Sequence, residues 1–346
     1  PSSFIKLLPG LLFVNFLVGF NPSKSNPSLF SMASVIGTIL KKPVKIALVQ
    51  LLSGSDKAAN LRHAASQVAR AAAGGSKIVV LPECFNSPYG TVYFPKYAEP
   101  ILPLPAVKEQ APSYFALSAM ASENNIYLIG GSIPELNPST KKIYNTCLIF
   151  GPDGALLSIH RKTHLFDVNI PGKVSMRESD VLSPGNKVTI VDFPEYGKVA
   201  IGICYDIRFP EIAAIAARKG AFALIYPGAF NLVTGALHWK LLAQARAVDN
   251  QIYVGMCSPA RNLDSKYHAW GHSMILDPMA AVLAEAQEGE AIIESELNED
   301  RILETRRNIP LETQRRLDVY PDDDAIDPAA TILTHSVDII LFVPRM

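Results

Sequence analysis

The chain lacks the features that mark several large classes of protein. Its formal net charge is +0 and it has no long basic run, so nothing in its charge supports nucleic-acid binding. Its four cysteines are widely spaced and form no CxxC pair, which is typical of a reducing compartment rather than a disulfide framework. Gly130-Gly131-Ser132 is not followed by the Lys-Ser/Thr of a phosphate-binding loop.

The N-terminus differs in composition from the rest of the chain. Residues 4–20 are mostly apolar and contain no acidic residue. This run is too short for a membrane-spanning helix and resembles the apolar region of a signal peptide. We interpret Met32 as the start of the working protein and residues 1–43 as a leader or non-native extension, expected to be disordered. The protein is expected to be cytoplasmic, or mitochondrial if the leader is native.

Hydrophobic residues make up 49% of the chain and charged residues 18%, enough for a large core. Continuous apolar runs such as Val44 to Gln50 are typical of strands buried on both faces. The second half repeats the first in order: Lys198–Ile201 echoes Lys45–Leu48, and Leu224–Asn231 echoes Val79–Asn86. The repeat predicts an α/β fold with two similar sheets facing each other about a pseudo-twofold axis, each covered outside by helices.

The stretch around Cys204 has the pattern of a strand, a sharp turn and a helix. The apolar run Val199 to Ile203 ends at this cysteine, and an alanine-rich helix is predicted from Glu211 to Lys219. Such a turn exposes a side chain at the end of a sheet, and a nearby helix N-terminus favours a thiolate. Alternatively, Cys204 is a small buried apolar residue.

Two charged residues follow predicted strands. Glu83 comes after an apolar strand and a proline, and Lys162 comes after the strand predicted at 155–159. If the strand ends meet at one rim, Glu83 can act as general base for Cys204. Lys162 and the backbone N–H of Tyr205 can then stabilise an oxyanion. A buried Glu–Lys ion pair beside an inert cysteine explains the same residues equally well.

Two histidines flank the lysine. His160 and His164 are four residues apart, a spacing that could suit a metal on a helix. The intervening Arg161 and Lys162 would repel a cation, so we predict structural roles for both histidines and no metal site.

Three stretches of the chain resemble the signatures of the nitrilase (carbon–nitrogen hydrolase) superfamily. They are Leu81–Gly90 (LPECFNSPYG), His160–Asp167 (HRKTHLFD) and Gly202–Glu211 (GICYDIRFPE). The resemblance covers 44–320 and leaves 321–346 as a tail of unknown role. It implies a four-layer α-β-β-α sandwich that forms a homodimer or higher homo-oligomer. It also implies a catalytic triad of Glu83, Lys162 and Cys204, with Glu178 as a supporting carboxylate.

Further segments, among them Tyr226–Asn231 and Ala269–Ser273, look like the omega-amidase branch. The resemblance implies a cofactor-free thiol amidohydrolase. It would hydrolyse the terminal amide of 2-oxoglutaramate or 2-oxosuccinamate to ammonia and the oxo dicarboxylic acid through a thioester. The alternatives are an amidase for deaminated glutathione or another small monoamide, a nitrile hydrolase, and a catalytically idle scaffold. Lys162→Ala is expected to abolish activity and leave the fold intact.

The distal carboxylate of such a substrate needs a cation or a donor. Arg208 is our candidate, although an ion pair with Asp206 or Glu211 is an equally good interpretation. Tyr89 is predicted near the base, where plain packing is the alternative. Tyr205, Phe230 and Asn231 complete the predicted substrate-binding residues.

Overall fold

The computed structural model describes residues 39–101 and 107–320 of the chain. Most of the predicted leader and the whole predicted tail, 321–346, lie outside the described residues. The last residues of the predicted leader are described: Ile39 and Leu40 are buried, and Leu40 forms an isolated bridge with Gly197. Ile39 and Leu40 therefore pack with the folded domain, although they precede the boundary predicted at residue 44.

The described residues form sixteen strands and seven α-helices. The strands are β1 (Val44–Gln50), β2 (Ile78–Val80), β3 (Glu99–Pro100), β4 (Tyr127–Ile129), β5 (Ile133–Leu136), β6 (Ile143–Phe150), β7 (Leu156–Arg161), β8 (Asp167–Ile170), β9 (Val174–Arg177), β10 (Thr189–Phe193), β11 (Gly197–Ile201), β12 (Ala221–Pro227), β13 (Tyr253–Cys257), β14 (Met274–Leu276), β15 (Val282–Glu285) and β16 (Ala291–Leu297). The α-helices are α1 (Lys57–Ala73), α2 (Phe94–Tyr97), α3 (Pro112–Asn124), α4 (Pro210–Arg218), α5 (Leu232–Asn250), α6 (Glu299–Asn308) and α7 (Leu311–Gln314). Short 3₁₀ helices span Glu178–Asp180 and Cys204–Arg208.

The strands form two large sheets with the same parallel centre. The first has the order β16-β1-β2-β4-β6-β5-β3, with β7 paired to β6, and the second has the order β10-β11-β12-β13-β14-β15. Within the first sheet β1, β2 and β4 run parallel, and within the second β11, β12 and β13 do so. The order of elements predicted from the internal repeat is therefore confirmed in both halves.

The strands of the first sheet are buried on both faces because each face packs against a different layer. Ile46 and Leu48 of β1 belong to one core with residues of the second sheet such as Ile201 and Ile225. The intervening Ala47 and Val49 belong to another core with residues of helices α1 and α3. Since side chains alternate along a strand, the first sheet lies between the second sheet and its own helices.

Helices α4 and α5 pack on the second sheet, against β12 and β13. The layers are thus helix, sheet, sheet and helix, as predicted. Asp56 caps α1, with its carboxylate accepting from the Ala59 N–H over 3.0 Å. No helix among the described residues is long and apolar enough to cross a membrane.

A hairpin that the sequence pattern did not indicate leads into the site. Strands β8 and β9 pair antiparallel as a sheet of their own, with Asp167 opposite Arg177. Glu178 follows β9 directly and begins a 3₁₀ helix. The backbone N–H of Phe166, just before β8, donates to Oε2 of Glu178 over 2.8 Å. The base of the hairpin therefore fixes this carboxylate.

Candidate active site

Glu83 lies in the turn that follows β2 and is 1% exposed. Its Oε1 accepts from Asn145 Nδ2 over 2.8 Å and from Lys162 Nζ over 3.0 Å. Its Oε2 accepts from the backbone N–H of Ala229 over 2.7 Å. A buried carboxylate is tolerated only with such partners. The strand ends after β2 and β12 therefore meet at one rim, as the sequence predicts.

Lys162 follows β7 immediately and is 0% exposed. Its ammonium lies 3.0 Å from Oε1 of Glu83 and 3.0 Å from both carboxylate oxygens of Glu178. Tyr89 donates its hydroxyl to Oε1 of Glu178 over 2.8 Å. One buried cation thus faces two buried carboxylates, so this cluster carries one excess negative charge when all three groups are ionised.

Cys204 is the first residue of the 3₁₀ helix after β11 and has a φ of 47°. A left-handed backbone at a non-glycine residue is strained, and such strain is common at functional turns. Gly202, two residues earlier, leaves room for the ring of Tyr226 in β12, because a Cβ there would lie 2.4 Å from that ring. The Cys204 thiol and the Glu83 carboxylate are close enough for each to affect the pKa of the other. The structure therefore brings Glu83, Lys162, Cys204 and Glu178 together.

The protonation states of the cluster follow from burial and from the mutual charges. Burial raises the pKa of Glu83, although the Lys162 ammonium opposes this. Burial alone would lower the pKa of Lys162, but Glu178 and Glu83 outweigh it and hold that pKa well above its usual value. Burial and the Glu83 carboxylate raise the pKa of Cys204 well above its usual value. Desolvation and the adjacent carboxylate thus favour the neutral thiol, and they oppose the effect expected of a helix N-terminus.

A third buried carboxylate, that of Asp206, joins the turn of Cys204 to the segment of Lys162. Asp206 is 0% exposed and accepts from the backbone N–H of Ile203 over 2.9 Å. It also accepts from His160 Nε2 over 3.0 Å and from His164 Nδ1 over 2.8 Å. Both histidines therefore have the structural roles that we predicted. Among the described residues no group of three or more His, Cys, Asp or Glu side chains could hold a metal ion.

A cavity of about 380 Å³ opens beside Glu83. Tyr89 and Tyr267 line it, together with Ser87, whose hydroxyl is buried without a hydrogen-bond partner. Tyr89 lies near the base as predicted, and its hydroxyl bond to Glu178 gives it more than a packing role.

The remaining predicted substrate-binding residues cluster around Phe230. The guanidinium of Arg208 lies 5.3 Å from the ring centroid of Phe230 and 5.4 Å from that of Tyr205. Within the described residues Arg208 makes no ion pair with Asp206 or Glu211, and its Nε is buried without a hydrogen-bond partner. The ion-pair alternative is therefore wrong, because Asp206 is engaged by the two histidines.

Asn231 has a role that the sequence analysis missed. Its Oδ1 caps helix α5 by accepting from the backbone N–H groups of Val233 and Thr234, each over 2.9 Å. Asparagine at this position is a strong helix cap. Its Nδ2 is buried and has no hydrogen-bond partner, so a donor is left for another group.

Three groups at the site were not predicted. Asn145 lies in β6 and binds Glu83, and a polar residue inside a buried apolar strand was a signal that could have found it. The Ala229 N–H and the Tyr267 hydroxyl gave no sequence signal. One is a backbone atom and the other lies in a loop distant in sequence.

Comparisons with known proteins agree with this geometry. The carbon-nitrogen hydrolase family model matches residues 45–307. The chain is 57% identical over 290 residues to the omega-amidase NIT3 of Saccharomyces cerevisiae, covering 83% of this chain and 98% of the yeast protein. It is 52% identical over 276 residues to the omega-amidase NIT2 of Mus musculus, covering 80% of this chain and 96% of the mouse protein. The crystal structure of Saccharomyces cerevisiae Nit3, a member of branch 10 of the nitrilase superfamily, matches with a TM-score of 0.74 and 54% identity, covering 81% of this chain and 99% of that one.

Proposed function

The chain belongs to the carbon–nitrogen hydrolase family, and we propose that within it the protein is an omega-amidase that works through a cysteine thioester. The observation that carries the proposal is the buried cluster of Glu83, Lys162 and Glu178, whose charges act on the Cys204 thiol. The identity above 50% to omega-amidases of yeast and mouse supports the substrate class. The substrates are 2-oxoglutaramate and 2-oxosuccinamate.

In the first half of the reaction Glu83 accepts the proton of Cys204 as the sulfur attacks the amide carbonyl carbon. The pKa values fit this order, because the raised pKa of the thiol keeps its proton until attack begins. Lys162 and the N–H of Tyr205 hold the oxyanion. The N–H of Tyr205 is free for this purpose, since the first N–H groups of a helix have no acceptor within it. The carbon–nitrogen bond then breaks, and Glu83 gives its proton to the departing ammonia.

In the second half Glu83 takes a proton from water, and the oxygen attacks the thioester carbonyl. The carbon–sulfur bond breaks, and the proton on Glu83 returns to the Cys204 sulfur. Glu178 supports both halves by holding Lys162, which it contacts at 3.0 Å. The acid–base cycle needs a carboxyl group whose pKa lies above its usual value, and burial of Glu83 supplies one.

Arg208 and Asn231 bind the distal carboxylate of the substrate. Two observations support this role: Arg208 Nε and Asn231 Nδ2 are both buried donors without a hydrogen-bond partner. Leaving such donors unpaired costs roughly 1–3 kcal/mol each, which a bound carboxylate would recover. Tyr205 and Phe230 contribute ring faces to the same guanidinium.

The protein acts as a homodimer through the helical layer of α5. Leu237 and Leu241 of this helix are 60% and 61% exposed, an apolar patch that supports a contact between copies. Leu237→Glu is expected to convert the dimer to a monomer in analytical ultracentrifugation. An unchanged sedimentation coefficient would place the contact elsewhere.

Ammonia release from a panel of compounds tests the reaction. The panel contains 2-oxoglutaramate, deaminated glutathione, glutamine and a simple nitrile. We expect the highest kcat/KM with 2-oxoglutaramate and no ammonia from the Cys204→Ala variant. A preference for deaminated glutathione would instead favour the alternative amidase. Equal slow release by wild type and Cys204→Ala from every compound would exclude an enzyme.

A further inference from the structure

The loop before β14 is docked on the segment that follows β12. The hydroxyl of Tyr267 donates to the carbonyl oxygen of Ala229. The backbone N–H of Trp270 donates to the carbonyl oxygen of Phe230 over 2.7 Å, and Ala269 forms a bridge with Asn231. Three consecutive residues after β12 are thus held by one loop. Of these contacts, only the first depends on a side chain.

Ala229 is the residue of that segment that contacts the reacting groups. Its backbone N–H donates to Oε2 of Glu83 over 2.7 Å. Its carbonyl oxygen accepts the Tyr267 hydroxyl. Moving the Ala229 backbone would therefore change the hydrogen bond to the carboxylate that serves as the base.

Tyr267 is itself held against the other side of the site. Its ring centroid lies 4.4 Å from that of Tyr89, with the planes tilted by 46°. The Tyr89 hydroxyl donates to Glu178, which pairs with Lys162. Both rings line the cavity beside Glu83. The ring contact with Tyr89 thus helps to place the Tyr267 hydroxyl near Ala229, and this contact does not depend on the hydrogen bond between them.

We propose that Tyr267 is a positioning residue, which aligns the Glu83 carboxylate by anchoring Ala229 through its hydroxyl. The role rests on the proposed amide hydrolysis, because Glu83 is the base of that reaction. Losing the Tyr267 hydroxyl loosens Ala229 and weakens the N–H donor to Oε2. A carboxylate that loses a donor is more easily protonated. The base is then inactivated at a higher pH than in the wild type.

The groups that act on the ionisation of Glu83 come from several elements packed around it. Those that face it are Lys162, Glu178, Cys204, Cys84, Tyr89 and Tyr267 itself. Only Lys162 among them is a cation. Tyr267→Phe changes none of these charges near neutral pH, so a shift of the acid limb reports the loss of the hydrogen bond.

The test compares Tyr267→Phe with Tyr253→Phe in 2-oxoglutaramate hydrolysis over a range of pH. Tyr253 also donates its hydroxyl to a backbone carbonyl, that of Asn298 over 3.0 Å, but it lies in β13 and does not line the cavity. For Tyr267→Phe we expect kcat to fall about 10- to 100-fold, part of the contribution of a general base. We also expect KM within about twofold of wild type, and an acid limb moved to higher pH. Tyr253→Phe should leave all three unchanged.

Several outcomes would overturn the proposal. These are an unchanged kcat, an unmoved acid limb, or a raised KM with kcat intact, which would make Tyr267 only a wall of the binding cavity. The rate at which iodoacetamide alkylates Cys204 provides a second measurement that does not need turnover. If wild type hydrolyses no amide, the proposed function fails, yet the alkylation profile still tests Tyr267. If the rate of Cys204 alkylation depends on pH in the same way in wild type and Tyr267→Phe, that result alone would reject the positioning role.

Discussion

One carboxylate oxygen of Asp206 accepts both the backbone N–H and the ring Nδ1 of His164, each over 2.8 Å. This relationship joins two stretches that are 42 residues apart in the sequence. One carries the proposed oxyanion stabiliser Lys162, and the other carries the proposed nucleophile Cys204. Asp206 therefore helps to hold the segment of Lys162 against the turn of Cys204.

Asp206→Asn should lower the free energy of unfolding by about 3 kcal/mol at neutral pH, the scale for removing one partner of a buried charged network. Burial alone would raise the pKa of Asp206, but hydrogen bonds from His160 and His164 outweigh it and lower that pKa below its usual 3.8. A lowered folded-state pKa gives stability that is present above the unfolded value and is lost as the pH falls. The measurement is urea denaturation at a series of pH values.

The gap in stability between wild type and Asp206→Asn should thus be widest near neutral pH and should narrow below pH 3.8. Asp153→Asn is a suitable control, because Asp153 lies in the exposed turn before β7 and accepts from the Ala155 N–H. If the difference in free energy of unfolding between wild type and Asp206→Asn were constant across the whole pH range, the charge of Asp206 would not be what stabilises its contact with His160 and His164.

Lys162→Ala should abolish ammonia release and also destabilise the fold. The expectation that the fold stays intact does not agree with the structure, because the variant leaves Glu83 and Glu178 buried without their cation. Removing one partner of a buried ion pair costs about 3–5 kcal/mol. Chemical denaturation at neutral pH measures the loss.

A second substitution distinguishes charge from lost volume. Adding Glu178→Gln to Lys162→Ala removes one of the two unneutralised carboxylates, so we expect part of the stability to return while activity stays absent. If the double variant were less stable than Lys162→Ala alone, the destabilisation would have to come from packing.

The Cys204 side chain should remain a thiol at neutral pH. Burial and the Glu83 carboxylate raise its pKa well above the usual value of 9.0. The difference in thiolate ultraviolet absorbance between wild type and Cys204→Ala should therefore stay near zero at neutral pH. A full thiolate signal at neutral pH would show that the helix N-terminus dominates after all.

Glu83→Gln should make the Cys204 thiolate easier to form and yet abolish turnover. Removing the neighbouring negative charge lowers the pKa of the thiol, so the thiolate signal appears at a lower pH than in wild type. Turnover should nevertheless be lost, because no general base remains to protonate the leaving ammonia or to take a proton from the attacking water. Retained turnover would assign the base to another residue.

Arg208→Met should lower kcat/KM for 2-oxoglutaramate about 10- to 100-fold, since a hydrogen bond to a charged group contributes about 1.5–3 kcal/mol. Propionamide, which has no distal carboxylate, should be hydrolysed by wild type and variant at similar rates. Arg307→Met is the control, because Arg307 is exposed on α6. An equal loss with both substrates would mean that Arg208 supports the fold of the site instead of the carboxylate.

The sequence by itself determined the elements of the fold and the residues brought to the rim. Unbroken apolar runs mark strands buried on both faces, and the repeated order of motifs implies two equivalent sheets. Both patterns can be recognised in the sequence alone, because neither depends on distances between separate segments. Glu83, Lys162 and Cys204 could be named as candidates because each lies just beyond a predicted strand, and the resemblance to the nitrilase superfamily then implied that they form a triad.

Only the tertiary structure decided what these residues do to one another. The pKa of Cys204 depends on how close the Glu83 carboxylate lies and on how little water reaches the sulfur. The contact of Tyr267 with Ala229 joins residues 38 positions apart in the sequence. Desolvation and Coulomb energies are set by distances between such segments, and packing of the two sheets fixes those distances.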